Sequence, residues 1–309
     1  MNQDTKGGTP IENFMIGQFG SYDSGKLEKD YREGMYGVEA CLMKSTDDIR
    51  LLLSEIKKRR LDIGIHFPLR AGIYSSRDPL FLDLDHAVRK QAYSDIEYEF
   101  GFIETMQIKP RYILFHYPKP VIITESLDLS KWRFYHRSEY VYESEYSFAD
   151  LAKYSRELFQ WLSDKSDRYG FMPILELDAL NRYITETSFL EELLSDYSAI
   201  KLCLDIGRLH VQDKIDPTFH AAEILKRFMK YTGLLHLSHA KVGKTVEFGH
   251  FPLLPGLKPE DGWADVETYF KIIRQETRDV KLFFEHRSDL VSEAELDLCY
   301  NWVDGLINR

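Results

Sequence analysis

The sequence predicts a single (β/α)8 TIM barrel of the α/β class, one domain spanning residues 1–309. Three observations carry this: eight short apolar runs, amphipathic stretches between them, and no linker composition that divides the chain. The runs are FMIGQFG from Phe14, GVEACLM from Gly37, DIGIHFPL from Asp62 and RYILFHYP from Arg111. FMPILELDA from Phe171, AIKLCLDIG from Ala199, GLLHLSHAK from Gly233 and VKLFFEHR from Val280 follow. Each is rich in Ile, Leu, Val and Phe and is bounded by turn or charged residues, as strands covered on both faces require. Between them DDIRLLLSEIKKRR, DLAKYSRELFQWLSDKSD, SFLEELLSDY and ADVETYFKIIRQE have helical period, and Ser or Asp precedes several of these as an N-cap. An open doubly wound sheet is the alternative. Eight strands with no GxGxxG or GxxxxGK[ST] stretch favour closure. Irregular stretches at 118–147 and 242–262 follow the fourth and seventh strands, which places them on the C-terminal face where barrel sites are built. The first holds Trp132, Phe134, Tyr135, Tyr140, Tyr142 and Tyr146. It reads as a packed lid, a substrate-stacking wall, or both.

Forty Lys and Arg against fifty Asp and Glu give a net charge of −10. That disfavours bulk binding to nucleic acid or to anionic membranes. No run approaches the roughly 18 apolar residues of a membrane span, and the opening MNQDTKGGTP lacks a signal peptide's apolar core. Cys41, Cys203 and Cys299 form no CxxC pair and read as buried thiols in a reducing compartment. The cytoplasm is the expected address.

Ionisable residues follow the apolar run in six of the strands. His66 ends GIH, His116 ends ILFH, Glu176 ends PILE, Asp205 ends LCLD, His236 ends GLLH and Glu285 ends LFFE. One such residue marks where a strand meets water. Six on separate strands of a barrel converge on one rim. Three imidazoles and three carboxylates, with no Lys or Arg at the same positions, make a cluster that is costly to bury unless a divalent cation neutralises it. The mixed nitrogen and oxygen set suits Zn, Mn, Fe or Co better than Ca or Mg. Six candidate ligands exceed the need of one ion, so one or two ions per chain are expected.

This order of residues resembles the xylose isomerase-like barrel superfamily, which contains endonuclease IV and many sugar (phosphate) isomerases and epimerases. The likeness runs over nearly the whole chain. Tyr36-Gly37-Val38-Glu39 resembles the family's second strand, and HLSHAK from His236 is similar to the His-Leu-Asn-Asp-x-Lys of endonuclease IV. Glu176, Asp205, His236 and Glu285 match the four-ligand metal site of the isomerases and epimerases. His66 and His116 match two histidines that hold a further zinc with the bridging glutamate, here Glu176. The chain departs from endonuclease IV at Arg208 in DIGR, where that enzyme has His, and in VEFGHFPLLPG, which offers only His250 and Glu247. The third metal site of that enzyme is thus dismantled.

The resemblance implies a metal-dependent isomerase or epimerase of a small sugar or sugar phosphate, with Glu176 and Glu285 both ligating metal and moving the proton. A dinuclear phosphoester hydrolase using His66, His116 and Glu176 is the alternative, and a non-catalytic barrel is a third. Arg208 and Lys241 either neutralise the carboxylates or grip a substrate anion, with His250 as a further contact. Glu39 is a pocket acid or the partner of an Arg. His210, His239 and His286 are expected behind the ligands or facing outward.

Overall fold

The computed structural model describes residues 11–132, 134–276 and 280–308; the opening decapeptide, read above for a signal, lies outside the described residues. Strands β1 (Phe14–Phe19), β2 (Gly37–Cys41), β3 (Asp62–His66), β4 (Tyr112–Tyr117), β5 (Met172–Leu177), β6 (Lys201–Asp205), β7 (Thr232–His236) and β8 (Lys281–Phe284) form a closed barrel. Every neighbouring pair is parallel and follows chain order, with β8 closing on β1.

Helices α1 (Ser24–Asp30), α2 (Thr46–Arg59), α3 (His86–Thr105) and α4 (Phe148–Tyr169) cover the first half. Then come α5 (Arg182–Thr185), α6 (Phe189–Asp196), α7 (Ile206–Ile215), α8 (Ala221–Phe228), α9 (Val266–Glu276) and α10 (Glu293–Asn308). Ser45 and Ser147 cap α2 and α4 by accepting from the backbone N–H of Asp48 and Asp150, as the cap positions in the sequence predict. Among the described residues no helix is long and apolar enough to cross a membrane.

Strand alternation sorts the side chains into two cores. One lies between strands and helices. The other plugs the barrel interior with Met15, Tyr112, Leu114, Ile174, Cys203, Leu234 and Phe283. Two residues further along each strand the next inward side chain is polar: Leu114 leads to His116, Ile174 to Glu176, Cys203 to Asp205, Leu234 to His236 and Phe283 to Glu285. The plug is therefore the floor of the site. Gly64 makes this floor possible, because a Cβ there would overlap the ring of Tyr112.

The two stretches read as irregular carry short strands of their own. Val121–Ile123 pairs in parallel with Tyr140–Tyr142. The run GLLHLSHAK splits: β7 ends at His236, and His239–Val242 turns out of the barrel to form an antiparallel hairpin with Val246–Phe251. Gly262, at φ +94°, closes against Val242, whose N–H donates to its carbonyl at 2.9 Å. Trp132 is buried with Val121, Ile123, Leu127 and Ala179, whereas Tyr135 is 62% exposed. The aromatic loop is thus a packed lid, with Tyr135 exposed and Phe134, Tyr140 and Tyr142 half-buried.

Candidate metal centre at the barrel mouth

On the β2–β4 side, Glu39, His66, Asp78, His116 and Lys119 each meet a partner from the chain. His116 donates from Nδ1 to Asp78 Oδ2 at 2.9 Å, which leaves Nε2 facing Glu176 Oε2 at 3.1 Å and His66 Nε2 at 3.2 Å. His66 Nδ1 lies 3.3 Å from Glu39 Oε1, and Tyr112 donates its hydroxyl to Glu39 Oε2 at 2.6 Å. Lys119 is buried between Asp78 and Asp178, at 2.8 and 3.0 Å.

The β6–β8 side is built differently. Asp205 caps α7: its Oδ1 accepts from the N–H groups of Gly207 (2.7 Å) and Arg208 (3.1 Å), and Oδ2 is left 3.3 Å from Arg208 Nε. His236 Nδ1 lies 3.2 Å from Glu285 Oε2 and 3.8 Å from Glu176 Oε1, and its Nε2 lies 3.4 Å from Glu39. Glu285 keeps 28% of its side chain exposed, against 1% for Glu176. Arg208 leans across the centre to Glu176 Oε1 (3.1 Å) and Asp178 Oδ1 (3.0 Å).

Three groups bring possible metal donors within 4.8 Å of one another: Glu39, His66 and His236; His66, His116 and Glu176; and Glu176, Asp205 and His236. Glu285 stands beside the last group through His236. Both carboxylate oxygens of Glu176 and both ring nitrogens of His236 are buried, yet none has a hydrogen bond of acceptable geometry. Their close neighbours are near in distance but poorly aligned, so these atoms crowd a common space without satisfying one another. Buried polar atoms in that condition fit a divalent cation, which needs lone pairs aimed at one point.

The electrostatics agree with a tightly coupled cluster. Burial raises the Glu176 pKa, but His116, His236 and Arg208 together hold it well below the usual carboxylate value. Burial also opposes ionisation of Glu285, and His236 overrides it to bring the value to about 2. Asp205 is pushed up to about 6 by burial and by Glu285, with Arg208 opposing. Burial would lower His236, but Cys203, Glu39, Glu176 and Glu285 lift it well above 6.5.

Lys and Arg are absent from the strand ends, as the sequence reading noted, but the inference that the carboxylates go unpaired is corrected here. Lys119 and Arg208 enter from just past β4 and β6. Asp178 was legible, since it shares the inward face of Glu176 two residues on. Arg77, Asp78 and Lys119 lie on loops where no period marks them. Glu39 sits beneath the imidazoles, bonded to Tyr112 and near His66 and His236. Lys241 lies on the hairpin, 3.6 Å from Glu247. His250 donates from Nδ1 to the Glu285 carbonyl at 3.1 Å. His210 is buried with Nε2 3.0 Å from the Gly262 carbonyl, while His239 and His286 are buried without hydrogen bonds. Two cavities open above the site, of about 240 and 360 Å³; Arg77, Arg208 and Tyr135 line both.

No protein-family profile and no curated protein matches the sequence. Solved structures do match over nearly the whole chain. One is a 3-keto-D-glucoside 4-epimerase from E. coli, at 14% identity, 95% of this chain, 98% of that chain and TM-score 0.55. Another is a xylose isomerase-like TIM barrel protein from Mycobacterium smegmatis in complex with magnesium, at 13% identity, 97% and 98% coverage and TM-score 0.53. A third is an AP endonuclease, family 2, from Brucella melitensis, at 11% identity, 93% and 97% coverage and TM-score 0.53. The closed parallel barrel and these likenesses together establish that the chain has the fold of the xylose isomerase-like TIM barrels.

Proposed function

We propose that the mouth binds a divalent cation of the Zn, Mn, Fe or Co class on Glu176, Asp205, His236 and Glu285. On this reading it isomerises or epimerises a small sugar or sugar phosphate by proton transfer. The unsatisfied donor atoms of Glu176 and His236, beside a Glu285 that reaches solvent, are the observation that supports it. A bound cation supplies Lewis acidity for the charge that grows on a substrate oxygen when the adjacent C–H is deprotonated. Glu285, ionised and positioned by His236, takes that proton and returns it. Glu176 is sealed from solvent, so its part is to hold the cation and to relay a proton only within the closed site. Tyr135 offers a wall for the apolar face of a sugar ring. The epimerase among the structural neighbours supports a carbohydrate substrate by analogy of fold.

The test is deuterium uptake from solvent into candidate aldoses and ketoses, followed by NMR. Uptake in the wild type that disappears in Glu285→Gln, together with reduced metal content, supports the reading; uptake retained in Glu285→Gln refutes it.

A second reading has its own observation. His66, His116 and Glu176 form a compact donor group, and a second cation there gives the dinuclear arrangement of a phosphoester hydrolase. A metal count on protein purified without chelator separates the two: one ion per chain for the isomerase, two for the hydrolase.

A further inference from the structure

We infer that the mouth contains an oxyanion subsite centred on Arg77, and that the substrate therefore bears a phosphate or carboxylate group. This deepens the isomerase reading and rests on it for calling the bound molecule a substrate.

Arg77 lies in the loop after β3 and lines both mouth cavities. Its Nε is buried with no hydrogen-bond partner, and among the described residues no carboxylate forms an ion pair with it. The adjacent carboxylate, Asp78, is already committed to His116 and Lys119. Arg208, the other guanidinium in these cavities, is consumed by Glu176, Asp178 and Asp205. Two guanidinium groups thus face one space, and only one of them is neutralised. A guanidinium cannot shed its proton, and with Asp78 and Glu285 acting on it only through space, its unbonded Nε is open to an external anion. Its planar fork matches two oxygens of a phosphate or carboxylate.

The smaller cavity adds Lys131, 3.5 Å from Asp128, together with Ser238 and His250. Asp205 lines this cavity and His116 the larger one, so an anion on Arg77 leaves the rest of the molecule over the donor cluster.

Isothermal titration of inorganic phosphate, glucose 6-phosphate, glucuronate and glucose tests this on the wild type, Arg77→Ala, Arg77→Lys and Lys131→Ala. The charged sugars should bind at least about tenfold more tightly than glucose, and the stronger of the two identifies the oxyanion. Arg77→Ala should lose roughly ten- to a hundredfold in anion affinity, Arg77→Lys less, and Lys131→Ala several-fold with its melting temperature unchanged. Equal wild-type affinity for charged and neutral sugars overturns the proposal. So does an undiminished preference in Arg77→Lys and Lys131→Ala, which stand even where Arg77→Ala does not fold. Binding is read without turnover. Absent deuterium uptake defeats the isomerase reading and leaves the subsite standing, and lost anion preference does the reverse.

Discussion

The two sides of the barrel mouth solve the same problem in opposite ways. On the β2–β4 side, buried charges are closed by the chain itself, through Lys119 between two aspartates and Glu39 between Tyr112 and His66. On the β6–β8 side, His236 is buried with no hydrogen bond and Glu285 reaches solvent. Groups whose bonds the chain already makes are scaffold, whereas both Glu176 oxygens and the Arg77 Nε at the edge of the β2–β4 side have none. Unspent groups are what a ligand can use. The difference separates a well-bonded part of the rim from the part on which the proposed chemistry rests.

The sharpest way to break this contrast is Glu285→Gln, which should lower turnover by roughly 10²–10⁴-fold while leaving urea unfolding nearly unchanged. A comparable loss of stability would place Glu285 with the scaffold. Lys119→Met should do the converse. Removing a buried cation from between Asp78 and Asp178 costs about 3–5 kcal/mol in urea unfolding, whereas Arg77→Met, which breaks no ion pair, should stay within about 0.5 kcal/mol.

Gly64→Ala forces Tyr112 off its place under Glu39 and should cost about 1–3 kcal/mol. A further effect is acid sensitivity on the β6–β8 side. Burial, reinforced by His210, lowers His239 from 6.5 to about 3. The folded state thus binds this proton less readily than the unfolded chain, so the stabilisation is complete above pH 6.5 and is lost as pH falls toward 3. Unfolding free energy should drop by about 1 kcal/mol between pH 7 and pH 5.5 from this group, and His239→Phe, packed on Trp263, should flatten that part of the profile.

The barrel was legible because its signal is periodic. Each of the eight strands begins within two residues of its sequence-predicted start, from Phe14 in β1 to Lys281 in β8. The six rim residues were legible for the same reason, being the inward positions next after an apolar plug. What escaped is aperiodic. Arg77, Asp78 and Lys119 sit in loops whose path depends on tertiary packing, and nothing local in SSRDPL or YPKP marks them as site residues. GLLHLSHAK read as one strand because its apolar character continues past His236. The chain nonetheless leaves the barrel there, as β8 pairs with β7 only from Leu234 to His236.

The hairpin beside the mouth is stitched down at its returning end. The backbone N–H of Arg287 donates to the His250 carbonyl at 2.8 Å, and His250 Nδ1 reaches the Glu285 carbonyl. It therefore travels with β8 as one piece and cannot swing aside as a door. The smaller cavity lies between this fixed hairpin, through Val246, Gly249 and His250, and the aromatic lid, where Tyr135 stands exposed. The cavity therefore has one wall fixed to β8 and one wall carried by a loop outside the barrel.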